Sequence, residues 1–212
     1  MSDPDRNLDV LPEWRLDDLF VGLESPELSV FMEETEIRAG KLAEAYKSRM
    51  AALGGPQLVE LIQEFEILTD RIGRMISYGQ LLYAADLSDS NIGQFYQTIQ
   101  ERCTDISTNL LFVTLELNCL EEDRISELMH DSSLMAYEPW IRDTRLFRPY
   151  QLSDDVEKIL HEKHVSGRSA WIRLFDEIMA SIEFGHNGEM LNASRAFDLL
   201  SSQDRNVRYA IS

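Results

Sequence analysis

Apolar residues recur along most of this chain at three- and four-residue intervals, the period of an α-helix packed along one face. The cleanest run is Ile92, Tyr96, Ile99, Cys103, Ile106, Leu110, Val113, Leu117 and Leu120, alternately four and three apart. Such a seam predicts one long helix in near-antiparallel contact with a partner, on the order of 40 Å from end to end. Leu111, Phe112 and Leu115 add a second apolar face late in the run, which predicts burial on two sides.

Before it, Ser25-Pro26 reads as a cap followed by proline at the first helical position. The helix so begun is expected to run to about Leu53, where Gly54-Gly55 stops it. Pro56 opens the next, with Leu58, Leu61, Ile62, Phe65, Leu68, Ile72, Met75 and Ile76 on one stripe that continues through Leu82 and Tyr83 to about Asp86. Short helices are expected at about 122–130 and 134–147.

From Tyr150 to Phe184 the pattern predicts a long two-part helix buried along one side. Ser153 is placed as its cap, and Asp154, Asp155 and Glu157 lie in its first turn, where the helix dipole favours negative charge. Val156, Ile159 and Leu160 form the first stripe. Gly167 interrupts, Ser169 restarts, and Trp171, Leu174, Phe175, Ile178 and Ile182 resume it. Asn187-Gly188 is the preferred pair for a type I′ turn, so a small β-hairpin is expected near residues 181–192, then a last helix at about 194–201. The tail beyond it reads as an element cut short. The fold class is mainly α: an elongated bundle of long antiparallel helices with one small hairpin. Residues 1–10 read as a flexible leader and 11–212 as one helical lobe. Within LPEWRLDDLF, residues 11–20, the aromatic and apolar side chains of Trp14, Leu16, Leu19 and Phe20 are expected to plug the terminus onto the body.

Composition sharpens this only in part. The chain is 44% hydrophobic and 27% charged, ordinary for a globular protein, but 38 acidic against 20 basic residues leave a net charge of −18. That surface repels nucleic acid and anionic membrane. Cys103 and Cys119, 16 residues apart on one expected helix, stand about 24 Å apart, too far for a disulfide. Both read as reduced, semi-buried packing residues, in keeping with a cytoplasmic setting. The start, MSDPDRNLDV, has no basic and apolar signal pattern, and no apolar run reaches membrane-spanning length.

Candidate chemistry is sparse. His161-Glu162-Lys163-His164 sets its histidines three apart, whereas a zinc-peptidase helix needs four, and it lacks an evident third ligand. Glu127–His130 and Glu183–His186 match by letter the Glu-x-x-His pairs of di-iron bundles, but the second falls in the expected turn. Arg142, Arg145 and Arg148, beside Trp140, Phe147 and Tyr150, read first as partners for nearby acids rather than as a carboxylate or phosphate site. Cys103, on the apolar seam without a base beside it, is no nucleophile. No catalytic, cofactor-binding or metal residue is assigned, and the residues themselves predict no catalysis.

Several stretches in order resemble the oligoendopeptidase F family, zinc metallopeptidases of the thimet-oligopeptidase kind. PEWRLDDLF resembles the family's Trp-Asp-Leu-x-x-Leu-Tyr opening, with Arg15 and Phe20 departing from it. RIGRMISYGQLLYAADLSD (71–89) is similar to its tyrosine-bearing second helix, LLFVTLELNCLEED to the acid-tipped end of its long helix, and HNGEMLNASRAFDLLSSQDRNVRYA to its hairpin and exit helix. LSDDVEKILHEKHVSGRSAWIRLFDE (152–177) is the most specific.

The resemblance implies the N-terminal helical lobe of a cytosolic enzyme that cleaves short peptides and walls one side of its substrate channel. It further implies a catalytic lobe, outside this chain, that carries H-E-x-x-H and binds zinc. The expected partners are that lobe and short peptides, with a homodimer through the exposed docking face as a further expectation. A free-standing helical binding or scaffold protein is the alternative reading, and a di-iron or zinc bundle in its own right is a third.

Overall fold

A computed structural model describes residues 14–211; the leader expected over 1–10 and the start of the aromatic plug, Leu11–Glu13, lie outside them. The chain is mainly α-helical with one two-stranded antiparallel sheet among the described residues.

Helix α1, Pro26–Tyr46, begins as its sequence dictates: the Leu28 N–H donates to Ser25 Oγ at 3.3 Å, and proline occupies the first turn. It buries Leu28, Met32, Thr35, Ala39 and Leu42. It ends well before the expected Leu53. The Glu116 carboxylate, from a distant helix, accepts the N–H groups of Ser48 (2.6 Å) and Met50 (3.3 Å). With those donors satisfied outside a helix, the chain turns through Ser48 at φ 64° and drops Met50 into the core. Arg71 ties α1 to α2. Its guanidinium donates to Thr35 Oγ1 (2.7 Å) and Phe31 O (2.9 Å) while lying 3.7 Å from the Phe31 ring centroid.

Helix α2, Gly55–Ala85, runs the length of the bundle and buries Leu61, Leu68 and Met75 completely. A tight turn capped by Asp89, whose Oδ1 accepts the Asn91 N–H at 2.8 Å, leads into α3, Ser90–Thr108. The expected single long helix is then interrupted at Asn109–Leu110 before α4, Leu111–Cys119, begins. Ser107, Thr108 and Asn109 account for the interruption. Their side chains bond back to Thr104 O (3.0 and 2.8 Å) and Asp105 O (3.4 Å), offering the backbone an alternative to the helical ladder. The apolar seam survives, and every member from Ile99 to Leu120 is buried. Of the cysteines, both free, Cys103 is buried in that seam, whereas Cys119, at the end of α4, is exposed and not semi-buried as expected.

Helices α5 (Glu122–Leu128) and α6 (Glu138–Arg145) close the end of the bundle, with Leu134 and Ile141 in the core. At the other end Phe20 is the plug: it meets the rings of Phe31 and Tyr78 edge-on, each at 5.4 Å, and Arg74 holds the segment by donating to Leu19 O at 2.6 Å. Trp14, expected in that plug, is exposed instead, since Phe20 already fills the site.

Helix α7, Asp154–His164, a π-helical turn at Val165–Ser169, and α8, Ala170–Ser181, lie across α3 and α4. The hairpin follows: β1, Glu183–His186, pairs with β2, Glu189–Asn192, in the register Phe184↔Leu191 and Gly185↔Met190. Asn187 (φ 52°) and Gly188 (φ 86°) make the two left-handed residues its turn requires. Helices α9, Ala193–Leu200, and α10, Arg205–Ile211, complete the described chain.

Candidate docking face and groove

The α7–α8 unit departs furthest from expectation. Its apolar stripe is not buried. Neither helix contains a buried residue, and Ile159 (55%), Trp171 (72%) and Phe175 (63%) are among its most exposed side chains. The unit is pinned to the bundle by a polar side. His161 Nε2 lies 2.7 Å from Ser107 Oγ, and Arg173 reaches Gln97 Oε1 at 3.1 Å while its own carbonyl accepts from the Tyr83 hydroxyl at 3.5 Å. Glu157, His161, Val165, Ser169 and Arg173, spaced four apart across the π turn, are all partly covered. At about 100° per residue, Trp171, Leu174, Phe175 and Ile178 fall on the opposite side of α8 from Arg173 and Asp176. Amphipathicity here is inside out.

The local capping also differs from the expected one. Ser153 occupies the cap position of α7 without a side-chain bond, and Glu157 Oε1 instead takes the Leu152 N–H at 2.8 Å. Ser169 does not cap α8; its hydroxyl lies 3.1 Å from His164 Nδ1 across the π turn. Phe147, Tyr150 and Leu152, just before α7, extend the exposed apolar surface.

Between α2, α3 and the π turn lies a groove of about 540 Å³. Its floor is the Tyr83–Tyr96 pair, stacked with centroids 5.3 Å apart, and burial pushes both phenols above their ordinary range. Arg168 and Arg173 stand on its wall with His164.

The residues singled out for chemistry are placed as follows. His161 is half-buried, and burial pushes its imidazole below the ordinary value. The pair does not fit zinc: His161 and His164 turn ring nitrogens to two different hydroxyls. Among the described residues no three His, Cys, Asp or Glu groups converge as ligands. Glu127 pairs with Arg124 at 2.5 Å, while His130 Nδ1 lies 2.7 Å from Ser126 O. Glu183 and His186 sit three apart on strand β1, hence on opposite faces. Arg145 and Arg148 engage Glu122 at 2.5 and 3.0 Å, Arg148 also reaches Glu121, and Arg142 pairs with Asp143. The arginine cluster thus neutralises acids, holding Glu122 below the usual carboxylate range. An exposed docking face was expected, but its place on α7–α8 and the Arg168 groove beside it were missed because this stripe was assumed to face in. The signal that could have found them is the second, polar stripe at Glu157, His161, Ser169 and Arg173.

Among known proteins, residues 116–184 match the family model described as Oligopeptidase F. The fold is shared with the crystal structure of oligoendopeptidase-F from Enterococcus faecium, at 21% sequence identity and a TM-score of 0.73 over 87% of this chain. The chain spans 38% of that structure's length. No curated protein matches it. No helix among the described residues is long and apolar enough to cross a membrane. The matched segment contains the whole α7–α8 unit, so this part of the chain is similar to the Oligopeptidase F family, and the described residues share the fold of part of the Enterococcus structure.

Proposed function

We propose that the chain serves as the N-terminal lobe of a cytosolic zinc metallo-endopeptidase acting on short oligopeptides, and forms one wall of its substrate channel. The observation that supports this most is a coincidence of position. The segment matched to the Oligopeptidase F family is also the one whose apolar side faces outward. Apolar area left in water forgoes about 25 cal/mol per Å², so the exposed Val156, Ile159, Trp171, Leu174, Phe175 and Ile178 call for a cover. The reading assigns that cover to a catalytic lobe, since a chain of this fold in the Enterococcus structure continues well beyond the 38% matched here.

The 212 residues contain no H-E-x-x-H, and among the described residues no histidine joins a group of three metal-ligating side chains. In this reading the metal and its base belong to the covering lobe. This chain's own residues hold the peptide, restrict the channel to flexible substrates and exclude water.

The test is purification of the native protein from its source, with a quenched fluorescent peptide as substrate and zinc measured by elemental analysis. Chelator-sensitive hydrolysis by an assembly containing this lobe, with none by the 212 residues alone, is the expected result. Unaided hydrolysis by a native product of these 212 residues sinks the reading. So does a native assembly with neither zinc nor activity.

A further inference from the structure

The groove beside the outward face has a charge that its surroundings do not. In a chain of net charge −18, the groove is lined by Arg168 and Arg173 with Asp176 as the one carboxylate of its lining. The two arginines are in different states. Arg173 is already engaged, with Gln97 at 3.1 Å, Gln100 at 3.5 Å and Glu177 at 3.7 Å, and only 17% of its side chain is exposed. Arg168 is exposed and makes no hydrogen bond or ion pair among the described residues. It is carried on the π turn, a widened helical turn of the kind that recurs at functional sites.

We propose that this groove binds the terminal carboxylate of a peptide, with Arg168 as the residue that receives it. A guanidinium presents two parallel N–H donors that match the two oxygens of a carboxylate, a geometry that an ammonium group lacks. Arg173, held by Gln97 and Gln100 and paired with Glu177, lines the groove without being free to receive the ligand. Below the rim, the stacked rings of Tyr83 and Tyr96 and the side chain of Ile172 offer an apolar floor, so the last side chain of the ligand is apolar or aromatic. At about 540 Å³ the groove falls within the range of small-ligand sites, enough for the end of a peptide rather than its whole length. Ile172 is itself exposed and neighbours Trp171 of the outward apolar face, which sets the bound end at the edge of that face.

The inference names a substrate feature for the peptidase reading and rests on it for its biological meaning. Its test does not need a catalytic lobe. The purified 212-residue chain is titrated calorimetrically with N-acetyl-Leu-Phe as the free acid, with the same dipeptide as its C-terminal amide, and with inorganic phosphate. The acid binds; the amide binds about tenfold more weakly or worse, the loss expected for one charge-assisted hydrogen bond. Arg168→Gln reproduces that loss for the acid, and Arg168→Lys recovers part of it. Because Arg168 has no partner to lose, the circular dichroism and melting of R168Q match those of the unmodified chain.

Equal affinity for acid and amide overturns the proposal, as does an R168Q variant that binds like the unmodified chain. No binding of the acid at millimolar concentration overturns it too. Phosphate binding as tightly as the acid assigns the groove to phosphate instead and equally overturns it. Failure of the peptidase reading would show as absent zinc-dependent hydrolysis in the native assembly, a result these titrations do not share.

Discussion

Burial acts on Cys103 as it acts on any thiol: the thiolate would lose its hydration in the seam between α2 and α3, so the proton is held and the pKa is pushed up to about 12. The same cause raises the phenols of Tyr78, Tyr83 and Tyr96. For each group the folded pKa exceeds the unfolded one. The folded chain therefore binds more protons than the unfolded chain over that interval, and stability falls as pH rises through it. For the thiol the interval opens at its ordinary 9.0 and extends to about 12. The urea midpoint is expected to be flat near neutrality and to decline above about pH 9, with a shallower decline in Cys103→Ala. A midpoint unchanged to pH 11 would show that these groups are not buried as described. A thiol reagent supplies an independent check. It labels Cys119 in the folded chain and reaches Cys103 only after denaturation. The sequence indicated Cys103 correctly from its place on the seam. It could not distinguish Cys119, because a position one residue off a stripe is decided by what packs beside it.

Helices carry the part of the fold that was legible from period alone. The starts of α1 and α2 follow from Ser25-Pro26 and Pro56, and the hairpin from Asn187-Gly188, because caps and turns are local chemistry. The ends of elements were less legible where a distant group intervened. The α1–α2 connection is the clear case. No residue between Tyr46 and Met50 is a glycine or a proline, yet the helix stops. The stop depends on Glu116, contributed by α4, which binds the N–H groups of Ser48 and Met50. Replacing it by alanine leaves two donors without their carboxylate partner next to the buried Met50 side chain. Glu116→Ala is expected to cost about 1–3 kcal/mol in urea unfolding, and Glu116→Gln less, since one carbonyl oxygen remains to accept. If the alanine variant lost nothing, the turn would have to be set by the local sequence after all. The interruption at Asn109–Leu110 is intermediate. Its cause, three consecutive Ser, Thr and Asn side chains bonding to the preceding turn, was in view in the sequence, but an unbroken apolar seam concealed it.

For the whole molecule the question is which side of α7–α8 faces in. Hydrophobic periodicity tells that a helix has two sides; it does not tell which one the rest of the chain covers. In an isolated domain the apolar side packs inward, and that assumption fails here because His161, Arg173 and Gln151 find polar partners on α3 and α4. The outward apolar side is thus a property of the lobe and not of either helix. Two sets of substitutions separate these ideas. Trp171→Glu with Phe175→Glu alters only exposed positions, so unfolding free energy should change by no more than about 0.5 kcal/mol, while binding of the dye ANS falls sharply. Leu61→Ala, at a fully buried position of α2, should cost about 2–5 kcal/mol and leave α8 surface properties intact in whatever fraction stays folded. Were the paired glutamates instead to destabilise the chain as much as Leu61→Ala, the stripe would be packed against this chain's own bundle. The outward face, and the role as a lobe that rests on it, would then both be lost.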